Sequence, residues 1–206
     1  MTFSTAPISA KYFIFLSILT GLVGSFIHPL MSFFLVDELQ VQPMYIGVYM
    51  TAVTVAGLVI SQYLGNLADK GGSSRKMYML ANVGIISALL VYINTHLFVL
   101  VLLAGVGLMA FGNASTPQML TLSRQWAGTQ KINIPQFNAR IRAGISVAWM
   151  IGPPIAFTVL ASVGFTGVFG LAILVAVIGI LFVWKCLPEL TSEHTEQQTE
   201  IESQVP

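Results

Sequence analysis

The chain has 206 residues, 55% of them hydrophobic and 8% charged, where a soluble domain carries roughly 25% charged residues; with a mean hydropathy of +0.82 this excludes an ordinary soluble domain. Nine Lys and Arg against eight Asp and Glu leave a formal charge of +1, which points to neither a nucleic acid nor any other charged partner. The single cysteine, Cys186, excludes an internal disulfide, and His28, His96, His194 and Cys186 fit no metal-ligand spacing.

A membrane span needs about 20 mostly apolar residues to cross roughly 30 Å of hydrocarbon. Six stretches qualify in chain order: 12–36, 44–67, 77–94, 97–122, 141–163 and 165–187. Lipid forces each to be helical, because no water is there to satisfy an open backbone. The expected fold is therefore an all-α integral membrane bundle of six transmembrane helices over residues 1–187. The first stretch is too long for the apolar part of a signal peptide, and no small-residue cleavage site follows it.

The connections alternate in character. Residues 37–43, 95–96 and 164 are short and hold Asp37, Glu38 and His96. Residues 68–76 and 123–140 are longer and polar. All nine basic residues lie on one side of this arrangement: Lys11, Lys70, Arg75, Lys76, Arg124, Lys131, Arg140, Arg142 and Lys185. Positive loops stay inside. The expected location is an inner (plasma) membrane, multi-pass, with both termini cytoplasmic. Residues 188–206 carry Glu189, Glu193, Glu196, Glu200 and Glu202 among Gln and Thr. With no apolar period, they are expected to form a disordered, acidic cytoplasmic tail or linker.

After the second span comes Gly65-Asn66-Leu67-Ala68-Asp69-Lys70-Gly71-Gly72-Ser73-Ser74-Arg75-Lys76. The glycines allow a tight turn and close helix approach, and Asp69 among the cations allows a compact charge network. This run resembles the loop signature of the major facilitator superfamily between its second and third helices, in the expected topological place. Ser73 and Ser74 make it about one residue longer than that pattern. Further stretches resemble the bacterial sugar efflux transporters of the superfamily: His28-Pro29 running into Ser32-Phe33-Phe34-Leu35, Gln42-Pro43 with Ile46-Gly47, Thr116-Pro117-Gln118, Arg142 leading into Ser146-Val147-Ala148-Trp149-Met150-Ile151-Gly152-Pro153-Pro154, and Gly164-Phe165-Thr166. They reach to about Leu187.

That resemblance implies an exporter of sugars such as lactose or glucose, of sugar analogues and of some drugs, driven by the proton gradient through alternating access, with no cofactor. Such transporters have twelve helices in two halves. This chain is similar to the first half, so a second half or a homodimer is an implied partner. The motif residues Gly65, Asp69, Gly72, Arg75 and Lys76 are implied to gate the cytoplasmic side.

In such folds a half consists of two inverted three-helix repeats, with substrate near the midplane where interrupted helices meet. The first and fourth spans combine glycine, proline and polar residues inside apolar runs, as does the fifth. Ser17, Gly21, Gly24, His28 and Ser32 share one helical face; so do Arg142, Ser146, Trp149 and Pro153. Polar groups inside a bilayer face a cavity or one another. His28, Asn113, Gln118, Arg142 and Trp149 are therefore expected to line a sugar cavity, with amide hydrogen bonds from Asn113 and Gln118 and an aromatic plate from Trp149. The competing roles are helix packing for the small residues and for Trp149, inter-helix hydrogen bonds for the amides, an interfacial position for Arg142 and a structural or gating role for His28. No Asp or Glu lies within any span, so no carboxylate proton carrier is present. Two other classes remain open. Gly144-Ile145-Ser146 loosely matches the G-x-S of intramembrane serine proteases, but only His28 could serve as base, near the opposite end of its span; no enzyme is expected. A truncated, non-transporting fragment or membrane adaptor is the other.

Overall fold

The computed structural model describes residues 10–187 apart from Lys131, and for Asp69 the backbone alone. The tail 188–206 lies outside the described residues. Among these, five helices are long and apolar enough to cross a membrane: α1 (Ala10–Glu38), α2 (Pro43–Ala68), α3 (Ser74–Asn94), α4 (Phe98–Gly128) and α5 (Ile134–Cys186). Their starts follow from local chemistry. Pro43 opens α2, where its missing N–H is no loss. Ser73 Oγ accepts from Lys76 N at the start of α3, and Asn133 Oδ1 accepts from Gln136 N at the start of α5.

At 53 residues, α5 would be roughly 80 Å long if straight, far more than one bilayer. It breaks at Gly164, whose backbone (φ 76°, ψ −172°) is non-helical and open to glycine almost alone. Before the break, residues 17, 21 and 25 of α1 face residues 144, 148 and 152 of α5. Residue numbers rise together, so α1 and this first arm run parallel. Helix α3 also runs parallel to α1, with Thr20 against Tyr78 and Phe34 against Tyr92. After the break the order inverts: Tyr92 meets Phe169, Tyr78 meets Gly179 and Arg75 meets Trp184. The chain therefore doubles back at Gly164, and Phe137 and Phe182 end up beside Phe13 and Phe15 at one end of the bundle.

The core holds two large apolar clusters at opposite ends of the bundle and a small third one of Leu64, Ala68, Met77, Ala81 and Ala114 between α2, α3 and α4. One large cluster gathers Phe34, Tyr92, Val101 and Phe169 at the Gly164 end. The other gathers Phe13, Met119, Trp126, Phe137, Ile141 and Val183 at the opposite end. This second cluster corrects the expected loop 123–140. Helix α4 runs on to Gly128 and α5 starts at Ile134, because Trp126 and Phe137 are buried against Phe13, with ring centroids 4.9 and 6.2 Å away. Hydropathy misses these turns, because their polar residues dilute the apolar signal.

Helical geometry is irregular in α1 and α4. A 3-10 turn spans His28–Leu30 and a π-helical turn Phe34–Glu38. In α4 a π-helical turn spans Gly105–Met109, and the helix opens again at Asn113 and Ala114. Such turns recur where a helix serves a site. Helices α2 and α3 are unbroken.

Candidate functional site

Two adjoining cavities share Ile27, His28, Met109 and Asn113: one of about 80 Å³ between α1, α3 and α4, and one of about 70 Å³ between α1, α2 and α4. The helix irregularities put these side chains there. His28 stands at the start of the 3-10 turn, directly before Pro29. Asn113 occupies the opened turn of α4 and packs over Gly57 of α2, where an added Cβ would lie 2.1 Å from Asn113 Nδ2. Helix α5 adds Trp149, 43% exposed, whose ring lies parallel to that of His28 at 11°, with centroids 6.0 Å apart. The centroid distance makes this an offset stack, so the two rings present an extended aromatic platform. Just beyond Trp149, Pro153 and Pro154 lack N–H groups, which leaves the carbonyls of Trp149 and Met150 without helical donors.

The structure thus brings together His28, Asn113 and Trp149. Gln118, Arg142 and Trp149 line neither cavity, and Trp149 meets them only through its stack on His28. Gln118 is buried and its Oε1 has no hydrogen-bond partner among the described residues. Arg142 is exposed two turns before Trp149. Sequence reasoning missed Tyr49 and Thr54 of α2, which line the smaller cavity, and Thr20 and Thr116, which line the larger. Tyr49 OH is held 2.7 Å from the buried Tyr92 OH. The available signal was a tyrosine inside each of two apolar spans, since a phenol hydroxyl in hydrocarbon needs a partner.

The larger cavity is backed by a polar seam. Thr20 Oγ1 lies 3.0 Å from Tyr78 OH, and Asn82 Nδ2 donates to Ser115 Oγ at 3.0 Å. Among the described residues, no Asp, Glu, Lys or Arg lines either cavity. The site offers hydroxyls, amides and an aromatic surface, the set that suits a neutral, polyhydroxylated ligand.

The loop after α2 is equally specific. Gly71 adopts φ 90°, and Gly72 N donates to Leu67 O at 2.9 Å. A Cβ on Gly72 would lie 2.5 Å from both Leu67 O and Met77 Cε. One contact is backbone, so the side chain cannot simply swing away. Gly72→Val is expected to lower stability by about 2–3 kcal/mol, read as the shift in a thermal melt in detergent; an unshifted melt would refute the tight turn. Arg75 donates a guanidinium N–H to the carbonyl of Trp184 in the last turn of α5, a favourable place for a cation. Lys76 gives its backbone N–H to Ser73. Gly65 faces open space, with nothing within 4 Å of an added Cβ. The side chain of Asp69 lies outside the described residues.

Comparison with known proteins adds to this geometry. The family model described as Major Facilitator Superfamily matches residues 13–205. Sugar efflux transporter A of Dickeya chrysanthemi is 33% identical over 197 residues, covering 95% of this chain and 50% of that protein. Sugar efflux transporter B of Salmonella typhimurium is 32% identical, over 90% of this chain and 47% of its own length. Sugar efflux transporter C of Escherichia coli is 33% identical, over 89% and 46%. The chain spans about half the length of the curated relatives it matches.

Proposed function

We infer the function of this chain from one premise: it belongs to the major facilitator superfamily. On that premise it is the N-terminal half of an efflux transporter for sugars or related small solutes, a proton-coupled antiporter working by alternating access rather than an enzyme. The observation that carries this reading is the pair of uncharged cavities that α1 and α4 form with α2 and α3, lined by His28 and Asn113, with the Trp149 ring stacked on His28 beside them. A pyranose ring has hydroxyls at its rim and C–H groups on its faces. Asn113, Thr54, Thr116 and His28 match the first, and the aromatic platform matches the second.

The reversal at Gly164 supports six crossings rather than five, and the irregular turns of α1 and α4 support a 3+3 inverted repeat in which these are equivalent first helices. Arg75 meets Trp184 at the end of the bundle that also holds Phe13, Trp126 and Phe137, so the basic residues of the two long connections share that end. The positive-inside rule makes it cytoplasmic, in a bacterial inner membrane with both termini inside. There the loop residues Gly65, Asp69, Gly72, Arg75 and Lys76 act as the cytoplasmic gate. Helix α2 leaves Met44, Leu58, Val59 and Tyr63 more than 60% exposed, and its Gly47 and Gly65 meet nothing within 4 Å. That face receives the partner: a second six-helix half, or a second copy of this chain.

The half-length match favours one competing reading, a membrane fragment or adaptor without transport. Export of radiolabelled lactose, glucose and arabinose, measured in vesicles containing this chain with and without a matching second half, separates the two. Export of at least one sugar with the second half present is the expected result. None under either condition leaves only the fragment reading. The orientation has its own check: cysteines placed across the 70–76 turn are expected to react only with reagents that reach the cytoplasm.

A further inference from the structure

His28 is a titratable group that faces both cavities. From α2, the titratable side chain lining the cavity with it is Tyr49, which is engaged with Tyr92. Helix α3 presents Ile85, α4 presents Asn113 and α5 presents Trp149, none of which titrates. On α1 its neighbours along the cavity are Thr20, Gly24, Ile27 and Met31. The nearest cation along α5, Arg142, is two turns away and exposed. Among the described residues no carboxylate lines the cavities, so a proton on His28 places the first full charge there. What receives that charge is the indole of Trp149, already stacked parallel to the imidazole at 6.0 Å between centroids.

We propose that His28 is the proton-binding site of this cavity, and that its protonation and sugar occupancy exclude one another. The proposal rests on the sugar-export reading above. Neutral imidazole offers a hydroxyl one donor and one acceptor; imidazolium offers two donors and no acceptor. Imidazolium also holds to the aromatic face as a cation–π pair. Protonation therefore removes an acceptor from the sugar site and ties up the indole surface on which a pyranose would lie. No bond other than the N–H is made, and the proton comes from and returns to water in the cavity. Coupling is reciprocal, so bound sugar expels the proton as strongly as the proton expels sugar. An exporter driven by inward proton flow needs this sign: a proton entering from outside displaces sugar outward and is itself displaced by sugar inside. Histidine is the side chain whose ordinary titration range suits such exchange.

The test uses the full chain in nanodiscs. Tryptophan emission of the wild type, His28→Gln and Trp149→Phe is followed from pH 8 to pH 5 without sugar. A one-proton quenching transition is expected in the wild type and in neither variant, because imidazolium quenches the indole it contacts. Lactose affinity is then measured calorimetrically over the same range. Below the transition it should weaken about tenfold per pH unit in the wild type, and not vary with pH in His28→Gln, which keeps a donor and an acceptor but cannot take the proton. A transition that survives in His28→Gln, or a lactose affinity with the same pH slope in both proteins, overturns the proposal. An intact transition with no binding of lactose, glucose or arabinose at any pH, with the matching second half present, overturns the sugar reading and the exclusion built on it, and leaves the proton site standing.

Discussion

Gly152→Ala is expected to destabilise the bundle by about 2 kcal/mol, and Ser25→Gly in the same chain is expected to restore most of the loss. An added Cβ at Gly152 would lie 1.9 Å from Ser25 Oγ and 2.6 Å from Ser25 Cβ. Rotating the serine relieves the first clash at the expense of its bond to Leu22 O, 3.0 Å long, and leaves the second. The helices cannot separate locally, because the same seam repeats every turn. A Cβ at Gly144 would fall 2.3 Å from Ser17 Oγ, and one at Gly21 would fall 2.7 Å from Ala148 Cβ. Small residues on both helices thus bring α1 and the first arm of α5 into backbone contact. In lipid such packing is a main source of helix association, since hydrocarbon solvates apolar side chains as well as a neighbouring helix does. The double variant should show a coupling energy of about 1–2 kcal/mol in a denaturation cycle, from which the roughly 0.5–1 kcal/mol that glycine costs in a helix cancels, since the single Ser25→Gly variant carries it too. Gly170→Ala is the control: nothing lies within 4 Å of its added Cβ, and it should be neutral or slightly stabilising. Additive effects of Gly152→Ala and Ser25→Gly would mean that the two helices do not meet there.

This seam explains part of what the sequence made legible. Ser17 and Gly21 stand one helical turn apart, and small residues at that spacing mark a packing face on their own. The span positions were legible for the same kind of reason, since lipid leaves a long apolar run one conformation. The ends of α4 and α5 were not. Around Trp126 and Phe137 the residues are polar on average, and only the tertiary contact with Phe13 shows that these turns are buried helix. The cavity was legible where a costly group stood inside a span, as with His28 and Asn113. Polarity alone could not separate Asn113, which reaches the cavity, from Gln118, which turns into the bundle with its Oε1 unpartnered among the described residues. That outcome depends on where α4 opens at Asn113 and Ala114, which shifts the face that each later residue presents. Tyr49 escaped because a tyrosine in an apolar run reads as bulk, and its pairing with Tyr92 joins residues 43 positions apart.

Trp149→Ala is expected to weaken lactose binding about 30-fold and to leave the melting temperature of the chain nearly unchanged. These two outcomes together distinguish a binding plate from a packing residue. The side chain is 43% exposed, and its ring stacks on His28. Its truncation therefore opens no sealed void of the kind that makes Phe→Ala or Trp→Ala cost 3–5 kcal/mol in a core. What is lost is the apolar surface against which a pyranose face dries. At roughly 25 cal/mol per Å² over some 80 Å² of contact this is about 2 kcal/mol, and each 1.4 kcal/mol is a factor of ten in affinity. Trp149→Phe keeps a flat aromatic face and should retain most of the affinity. Asn113→Leu provides the polar counterpart: it keeps the side-chain bulk over Gly57, removes the amide, and should weaken lactose by about 1–3 kcal/mol, the range for an unmet hydrogen bond in a dry site. Were Trp149→Ala to lower the melting temperature strongly while lactose affinity stayed at the wild-type value, the indole would be structural and the plate would have to lie elsewhere. Because the plate meets the cavity through His28, the same alanine variant should also abolish the pH-dependent quenching, which ties the sugar face and the proton site to one pair of rings.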